Sequence, residues 1–187
     1  MEVLETALPG SKLIVPTVHG DDRGFFVETF RSDRYEELGI DARFVQDNHS
    51  RSSRGVLRGM HLQIGEGIAK LVRCARGEIL DVIVDVRRGS PTYGRWQAFT
   101  LDDRAHNLLF VPVGFAHGFC TLSEVADVVY RQTGYYDPEL ERSIAYDDPE
   151  LAIEWPAGID FVVSARDAAA PTLREQAGEL RFPYPDR

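Results

Sequence analysis

Two cysteines in 187 residues, Cys74 and Cys120, are too few for a disulfide framework, and neither belongs to a Cys-x-x-Cys pair that would signal zinc or thiol redox chemistry. Both read as buried, reduced thiols. No apolar run approaches the roughly 20 residues that cross a bilayer, and Met1 to Lys12 lacks a basic start followed by an apolar stretch. The expectation is a cytoplasmic protein with no membrane partner. Positive charge is also scarce: 21 Lys and Arg against 30 Asp and Glu give a formal net charge of -9. Binding to a nucleic-acid polymer is disfavoured, because it needs basic side chains to replace the counterions around phosphates. An anionic small molecule would need a local arginine cluster acting against that field. There is no Gly-x-Gly-x-x-Gly after a strand, no Gly-x-x-x-x-Gly-Lys-Ser/Thr and no Gly-x-Ser-x-Gly elbow, so hydride transfer, P-loop hydrolysis and serine-hydrolase chemistry have no support.

What is present is strand-like. From Leu13 to Tyr136 short runs of Val, Ile, Phe and Tyr alternate with Gly, Pro, Asp and Asn, and no long helical stripe intervenes. Strands are predicted at Phe25–Phe30, Phe44–His49, Val56–Gln63, Lys70–Arg76, Ile79–Val86, Arg95–Leu101, Leu108–Val111, Gly118–Leu122 and Val125–Gln132. So many short strands imply an all-β sandwich or barrel. Short helices are expected from Ser32 to Gly39 and near Thr172–Leu180. With no repeat or linker, residues 1–187 read as one domain.

Alternation assigns faces. In Ile79–Val86, Leu80, Val82, Val84 and Val86 form a core face, while Asp81 and Asp85 share the other with two isoleucines; Asp81 is expected to be partly buried and Asp85 is left open. Lys70 shares a face with Val72 and Cys74, so it is either a snorkelling strand end or a binder of negative charge. His61 shares a face with Gly59 and Gln63, which leaves room for a ligand, and an imidazole suits general-base work. Strict alternation turns Arg58 away from His61, so both serve one site only if a bulge re-aims one or a neighbouring subunit is involved. Pro112-Val-Gly-Phe-Ala-His117 has the spacing of a turn that presents a metal-binding histidine in many small barrels, but Gln63 stands where the complementary His-x-His would need its second imidazole. Locally, Tyr130 reads as a buried tyrosine and Asp167 as a turn or cap residue.

Several ordered blocks together carry more. They are Asp22-Arg-Gly-Phe-Phe-Val-Glu28, Phe44-Val-Gln-Asp-Asn-His-Ser50, Gly55-Val-Leu-Arg-Gly-Met-His-Leu-Gln63, Lys70-Leu-Val-Arg73, Asp81-Val-Ile-Val-Asp85, Ser90-Pro-Thr92, Val111-Pro-Val-Gly-Phe-Ala-His-Gly118, Tyr130, Tyr135-Tyr136, Asp148-Pro149 and Ser164-Ala-Arg-Asp-Ala-Ala-Ala-Pro171. In this order they resemble the dTDP-4-dehydrorhamnose 3,5-epimerase family. The resemblance implies a cupin-like double-stranded β-helix (jelly-roll) barrel with short peripheral helices, usually a homodimer, acting without cofactor or metal. It implies epimerisation at C3 and C5 of dTDP-4-keto-6-deoxy-D-glucose to dTDP-4-keto-L-rhamnose; a 3- or 5-monoepimerase of secondary metabolism is the alternative. It also implies His61 as base, Asp167 as its orienter, Tyr130 as acid and Lys70 as the enolate's partner, with Arg23, Phe26, Glu28, Gln46, Asn48, Arg58, His117, Glu141 and Arg166 around the substrate, Phe26 stacking on thymine. Two positions depart from the family pattern, Arg166 for lysine and Met60 for leucine. A metal-dependent cupin enzyme and a non-catalytic sugar-nucleotide-binding barrel are the competing readings.

Overall fold

The computed structural model describes residues 1–184; the last three residues of the expected 1–187 domain lie outside the described residues. Its strands are β1 (Glu2–Glu5), β2 (Lys12–Val15), β3 (Val18–Asp21), β4 (Gly24–Val27), β5 (Gln46–Ser53), β6 (Val56–Gln63), β7 (Lys70–Arg76), β8 (Glu78–Asp85), β9 (Trp96–Asp102), β10 (Leu108–Val111), β11 (Phe115–Thr121), β12 (Val125–Gln132), β13 (Glu141–Ser143) and β14 (Val162–Val163). The helices are α1 (Ser32–Glu37), α2 (Ala165–Ala168) and α3 (Leu173–Gln176).

Two sheets face each other in the jelly-roll manner. One has the order β1-β2-β10-β7-β12-β5 and the other β13-β6-β11-β8-β9, with β14 added in parallel to β6. Consecutive strands such as β5 and β6, or β7 and β8, lie in opposite sheets, so each short turn folds the chain over the barrel. Period-two alternation then sends one set of side chains inward. Val72 and Cys74 from β7, Leu109 and Val111 from β10, and Ala126 and Val128 from β12 meet Ile79, Ile83, Phe99, Leu101, Phe115 and Phe119 of the other sheet. Burying that apolar surface is the main force closing the barrel.

The outer faces are not free. Met60, Leu62, Val82, Val84, Val86 and Ala116 pack under the chain's C-terminal third through Ile144, Leu151, Leu173, Leu180 and Phe182. The face of β8 read as core is therefore the outer layer, and its opposite face is buried too. Asp85 is fully buried, where Arg87, Ser90 and Thr92 all donate to it. Those donors outweigh burial and hold its carboxyl below the ordinary range.

Strand ends shift where tertiary partners decide them, as at Gly118–Leu122, which begins at Phe115 because β8 pairs with it from Asp85 onward. The Phe25–Phe30 strand ends at Val27, and Phe30 turns away to pack on Tyr35 and Phe44. The Phe44–His49 strand begins at Gln46 and runs on to Ser53 because β12 pairs with it residue by residue from Gln132 to Val125. α1 starts at Ser32 with Arg31 as N-cap and no side-chain cap bond, whereas Thr172 and Glu175 form a reciprocal capping box at α3.

Candidate active site

Toward one end, the barrel lumen changes from apolar to polar. A cavity of about 510 Å³ opens there, lined by Arg58, His61, Lys70, His117, Tyr130 and Asp167 with Phe119 and Arg166 among its walls. That volume suits a small ligand. A smaller adjoining space of about 80 Å³ is bounded by Gln63, Gln132, Tyr136 and Glu141 and shares His61, Lys70 and Tyr130.

His61 and Arg58 reach the same cavity because β6 carries an extra residue. His117 of β11 pairs with His61, but Phe119 pairs with Arg58, so Gly59 and Met60 together lie opposite Gly118 alone. This is the bulge that alternation demanded. Met60 points into the outer layer, fully buried, while its neighbours on both sides keep inward positions. The strands approach so closely here that a Cβ at Gly59, where φ is +140°, would lie 2.5 Å from Gly118 Cα. Only glycine fits.

His61 Nε2–H donates to Asp167 Oδ1 at 2.6 Å. The other ring nitrogen, Nδ1, is thereby left for the cavity. Asp167 sits in the first turn of α2 and is nearly inaccessible; its backbone N–H donates to the Ser164 hydroxyl that caps the helix. Burial alone would raise its carboxyl, but the His61 hydrogen bond and charge, with a longer donation from Gly59 N–H, hold it below the usual range. An ionised partner therefore stands behind the imidazole. Ser164 was not singled out from the sequence, although Ser-x-x-Asp is a capping signature that would have found it.

Lys70 enters from the opposite sheet on the inner face of β7, beside Val72 and Cys74. Its Nζ lies 3.5 Å from the His61 carbonyl oxygen, to which it donates. Burial pulls its ammonium down to about 8, against the favourable fields of Glu141 and Asp81. Of the two local alternatives, the structure favours the binder of negative charge over the snorkelling end. Tyr130, on the inner face of β12, is half-buried, and desolvation followed by the field of Glu141 pushes its phenol up. It keeps its proton throughout the neutral range.

Around these four, Arg58 Nε donates to Ser52 Oγ at 3.0 Å and Arg166 Nη1 to Glu141 at 2.6 Å. Tyr136 donates to the same Glu141 carboxylate at 2.7 Å. Burial would raise Glu141, yet those two donors hold it below the ordinary range. His117 Nε2–H is engaged by buried Asp81 at 2.9 Å. Gln46 and Asn48 are linked at 2.9 Å on the inner face of β5, and Gln46 also accepts from Tyr136 N–H beside the smaller space. Arg23, Phe26 and Glu28 do not line either space. Arg23 pairs with Asp21 at the exposed tip of the β3–β4 hairpin, Phe26 stays 69% exposed, and Glu28 pairs with Arg34. Among the described residues, no group of three or more His, Cys, Asp or Glu side chains is arranged to hold a metal ion.

Arg58, Lys70 and Arg166 thus supply locally the positive character that the whole chain lacks. Together with them the cavity holds an imidazole with a carboxylate behind it and a protonated phenol. That set can move a proton on and off a carbon next to a carbonyl.

Comparisons with known proteins agree with this chemistry. The dTDP-4-dehydrorhamnose 3,5-epimerase family model matches residues 5–175. A dTDP-4-dehydrorhamnose 3,5-epimerase of Salmonella typhimurium is 50% identical over 175 residues, covering 92% of this chain and 96% of the relative. One from Neisseria gonorrhoeae is 47% identical over 98% of this chain, which spans only 56% of that longer protein. A solved dTDP-6-deoxy-D-glucose-3,5-epimerase of Legionella pneumophila, in complex with dTDP-4-keto-L-rhamnose, is 48% identical and superposes with a TM-score of 0.96 over 99% of both chains.

Proposed function

The chain belongs to the dTDP-4-dehydrorhamnose 3,5-epimerase family, and from that premise we propose that it converts dTDP-4-keto-6-deoxy-D-glucose to dTDP-4-keto-L-rhamnose by inverting C3 and C5. The observation that carries this reading is the His61–Asp167 pair sharing one cavity with Tyr130 and Lys70.

His61 Nδ1 removes the proton from a carbon adjacent to the C4 ketone. The electron pair moves onto the C4 oxygen, and the Lys70 ammonium faces the resulting enolate. Such a charge partner in a dehydrated site is worth about 3–4 kcal/mol, roughly a hundredfold or more in rate. Tyr130 then delivers its hydroxyl proton to the opposite face of the same carbon, which completes one inversion. His61 and Tyr130 return to their starting protonation states through water, and the second carbon follows by the same chemistry. Asp167 fixes the imidazole tautomer and faces the imidazolium while it lasts.

Arg58 and Arg166 suit the diphosphate, because a planar guanidinium donates paired hydrogen bonds. Gln46, Asn48, His117 and Glu141 contact the sugar and nucleoside. Arg23, Phe26 and Glu28 serve the site of a partner in a homodimer, a reading supported by the exposed aromatic tip of their hairpin and by their absence from their own chain's cavity. Phe26 stacks there on the thymine. The enzyme works in the cytoplasm; among the described residues, no helix is long and apolar enough to cross a membrane.

Incubation with dTDP-4-keto-6-deoxy-D-glucose in heavy water, followed by NMR, tests the reading. Deuterium at both C3 and C5 is expected. Label at one carbon only replaces it with a monoepimerase, and no label at either carbon refutes it.

A further inference from the structure

Asp81 is a fully buried carboxylate with no part in those proton transfers. It stands mid-β8 between Ile79 and Ile83 on the inner face, among side chains that otherwise make the barrel's apolar core. Both its oxygens lie near one donor, His117 Nε2, at 3.0 and 2.9 Å. A buried polar pair of this kind is commonly no more stable than well-packed apolar side chains of the same volume. Packing alone therefore gives no reason for an aspartate here.

Its neighbours give one. His117 pairs across the strands with His61 and lines the same cavity, and with Nε2 committed to Asp81 its Nδ1 is the atom left to face a ligand. Lys70 lines that cavity from the other sheet. The titratable groups gathered around Lys70 are Arg58 and His61 of β6, Asp81 of β8, His117 of β11, Tyr130 of β12, Glu141 of β13, and Arg166 and Asp167 of α2, with Tyr136 at the edge. Most of those carboxylates already have more than one donor: Glu141 is held by Arg166 and Tyr136, and Asp167 by His61 and, at longer range, the Gly59 N–H. Asp81 has His117 alone.

We propose that Asp81 is a positioning residue for the ketone end of the substrate: through His117 it aims Nδ1 into the cavity, and its negative charge is a counter-charge for the Lys70 ammonium. The inference rests on the role given to Lys70. The field of Asp81 opposes the desolvation of Lys70, second only to that of Glu141.

Asp81→Asn keeps the shape and removes the charge. In wild type, kcat should fall as pH rises through about 8, where Lys70 loses its proton. In Asp81→Asn that basic limb should move down by about one pH unit, and KM should rise about five- to tenfold as His117 loses its fixed aim. A purely structural aspartate would lower kcat by one factor at every pH and leave the limb in place. An unmoved limb overturns the charge role, and an unchanged KM overturns the aiming role. If Asp81→Asn does not fold, His117→Gln decides: KM should rise while the limb stays or moves up, because Asp81 then acts on Lys70 alone. A limb that moves down in His117→Gln overturns the proposal. Inactive wild type would strike the epimerase reading itself; active wild type with an unresponsive Asp81→Asn strikes only this inference.

Discussion

Replacing Asp167 by asparagine leaves the shape of the site intact and removes the charge behind the base. In the present geometry the carboxylate oxygen is 2.6 Å from His61 Nε2, and the aspartate is almost wholly shielded from solvent. Two unit charges with centres about 4 Å apart interact by about 4 kcal/mol at an effective dielectric constant near 20. Nearly all of that bears on the barrier, because the imidazole is charged only after it has taken the carbon proton. A loss of about 3–4 kcal/mol corresponds to roughly a 10²–10³-fold drop in kcat. The amide adds a second fault. Turned the wrong way, its NH₂ donates to Nε2 and forces the ring proton onto Nδ1, the atom that must accept. KM should hardly change, since Asp167 touches the base and not the nucleotide. Deuterium incorporation at C3 and C5, followed by NMR under single-turnover conditions, measures the step directly. A variant that folds normally and keeps kcat within tenfold of wild type would refute the assignment of Asp167 as the electrostatic partner of His61.

Tyr130→Phe should separate exchange from inversion: His61 still makes the enolate, so deuterium enters from its own face while epimerised product falls at least about a hundredfold. Inversion at the wild-type rate would remove Tyr130 as the acid. Lys70→Met should cut kcat by about 10²-fold yet raise the melting temperature at pH 7, because a buried ammonium that titrates near 8 instead of 10.5 is a folding penalty. Between those two values the unfolded chain binds more protons than the folded one, so wild-type stability should increase with pH there while activity is being lost, and calorimetry across that window checks the sign. Gly59→Ala should lower stability by on the order of 3 kcal/mol, roughly 6–12 °C in melting temperature, since its Cβ meets backbone that cannot withdraw. A melting curve like wild type would show that the bulge relaxes.

The barrel was legible because alternation and strand length speak for themselves in β6, β7, β10 and β12, whose ends match the residues read from the sequence. Strand ends were less legible where distant partners decide them: β5 begins where β12 offers a partner, and Val27 ends β4 because Phe30 finds an aromatic cluster. β14 and α2 are too short to announce themselves, yet they bring Asp167 across 106 positions of sequence to His61. Local rules saw a turn or cap residue in Asp167; the cap is Ser164, Asp167 stands in the first turn of α2 with its N–H bonded to that cap, and its carboxylate is turned to His61 instead. Likewise Lys70 was a face assignment awaiting an anion, and Arg58 was a contradiction until the register shift resolved it. Only the long ordered resemblance joined these residues into one site. Periodicity describes neighbours in the chain, whereas chemistry here depends on neighbours in space.

A strand has only two facings, so the side a residue shows is a matter of odd or even count. The doublet opposite Gly118 changes that parity midway along β6, with Arg58 counted before it and His61 after it. No substitution at Gly59 or Met60 can restore strict alternation; only removal or addition of a residue can. Loss of a single residue at that point would make the interval even and keep Arg58 and His61 on one face with no bulge, whereas regular pairing over the interval as it stands would turn them to opposite sides of the wall. Their shared facing is therefore owed to the doublet at this length and would be lost if the doublet were ironed out without a change of length. In this barrel the inventory of residues and the facing of the interval between them are separate requirements, and the doublet is what lets an odd interval meet both.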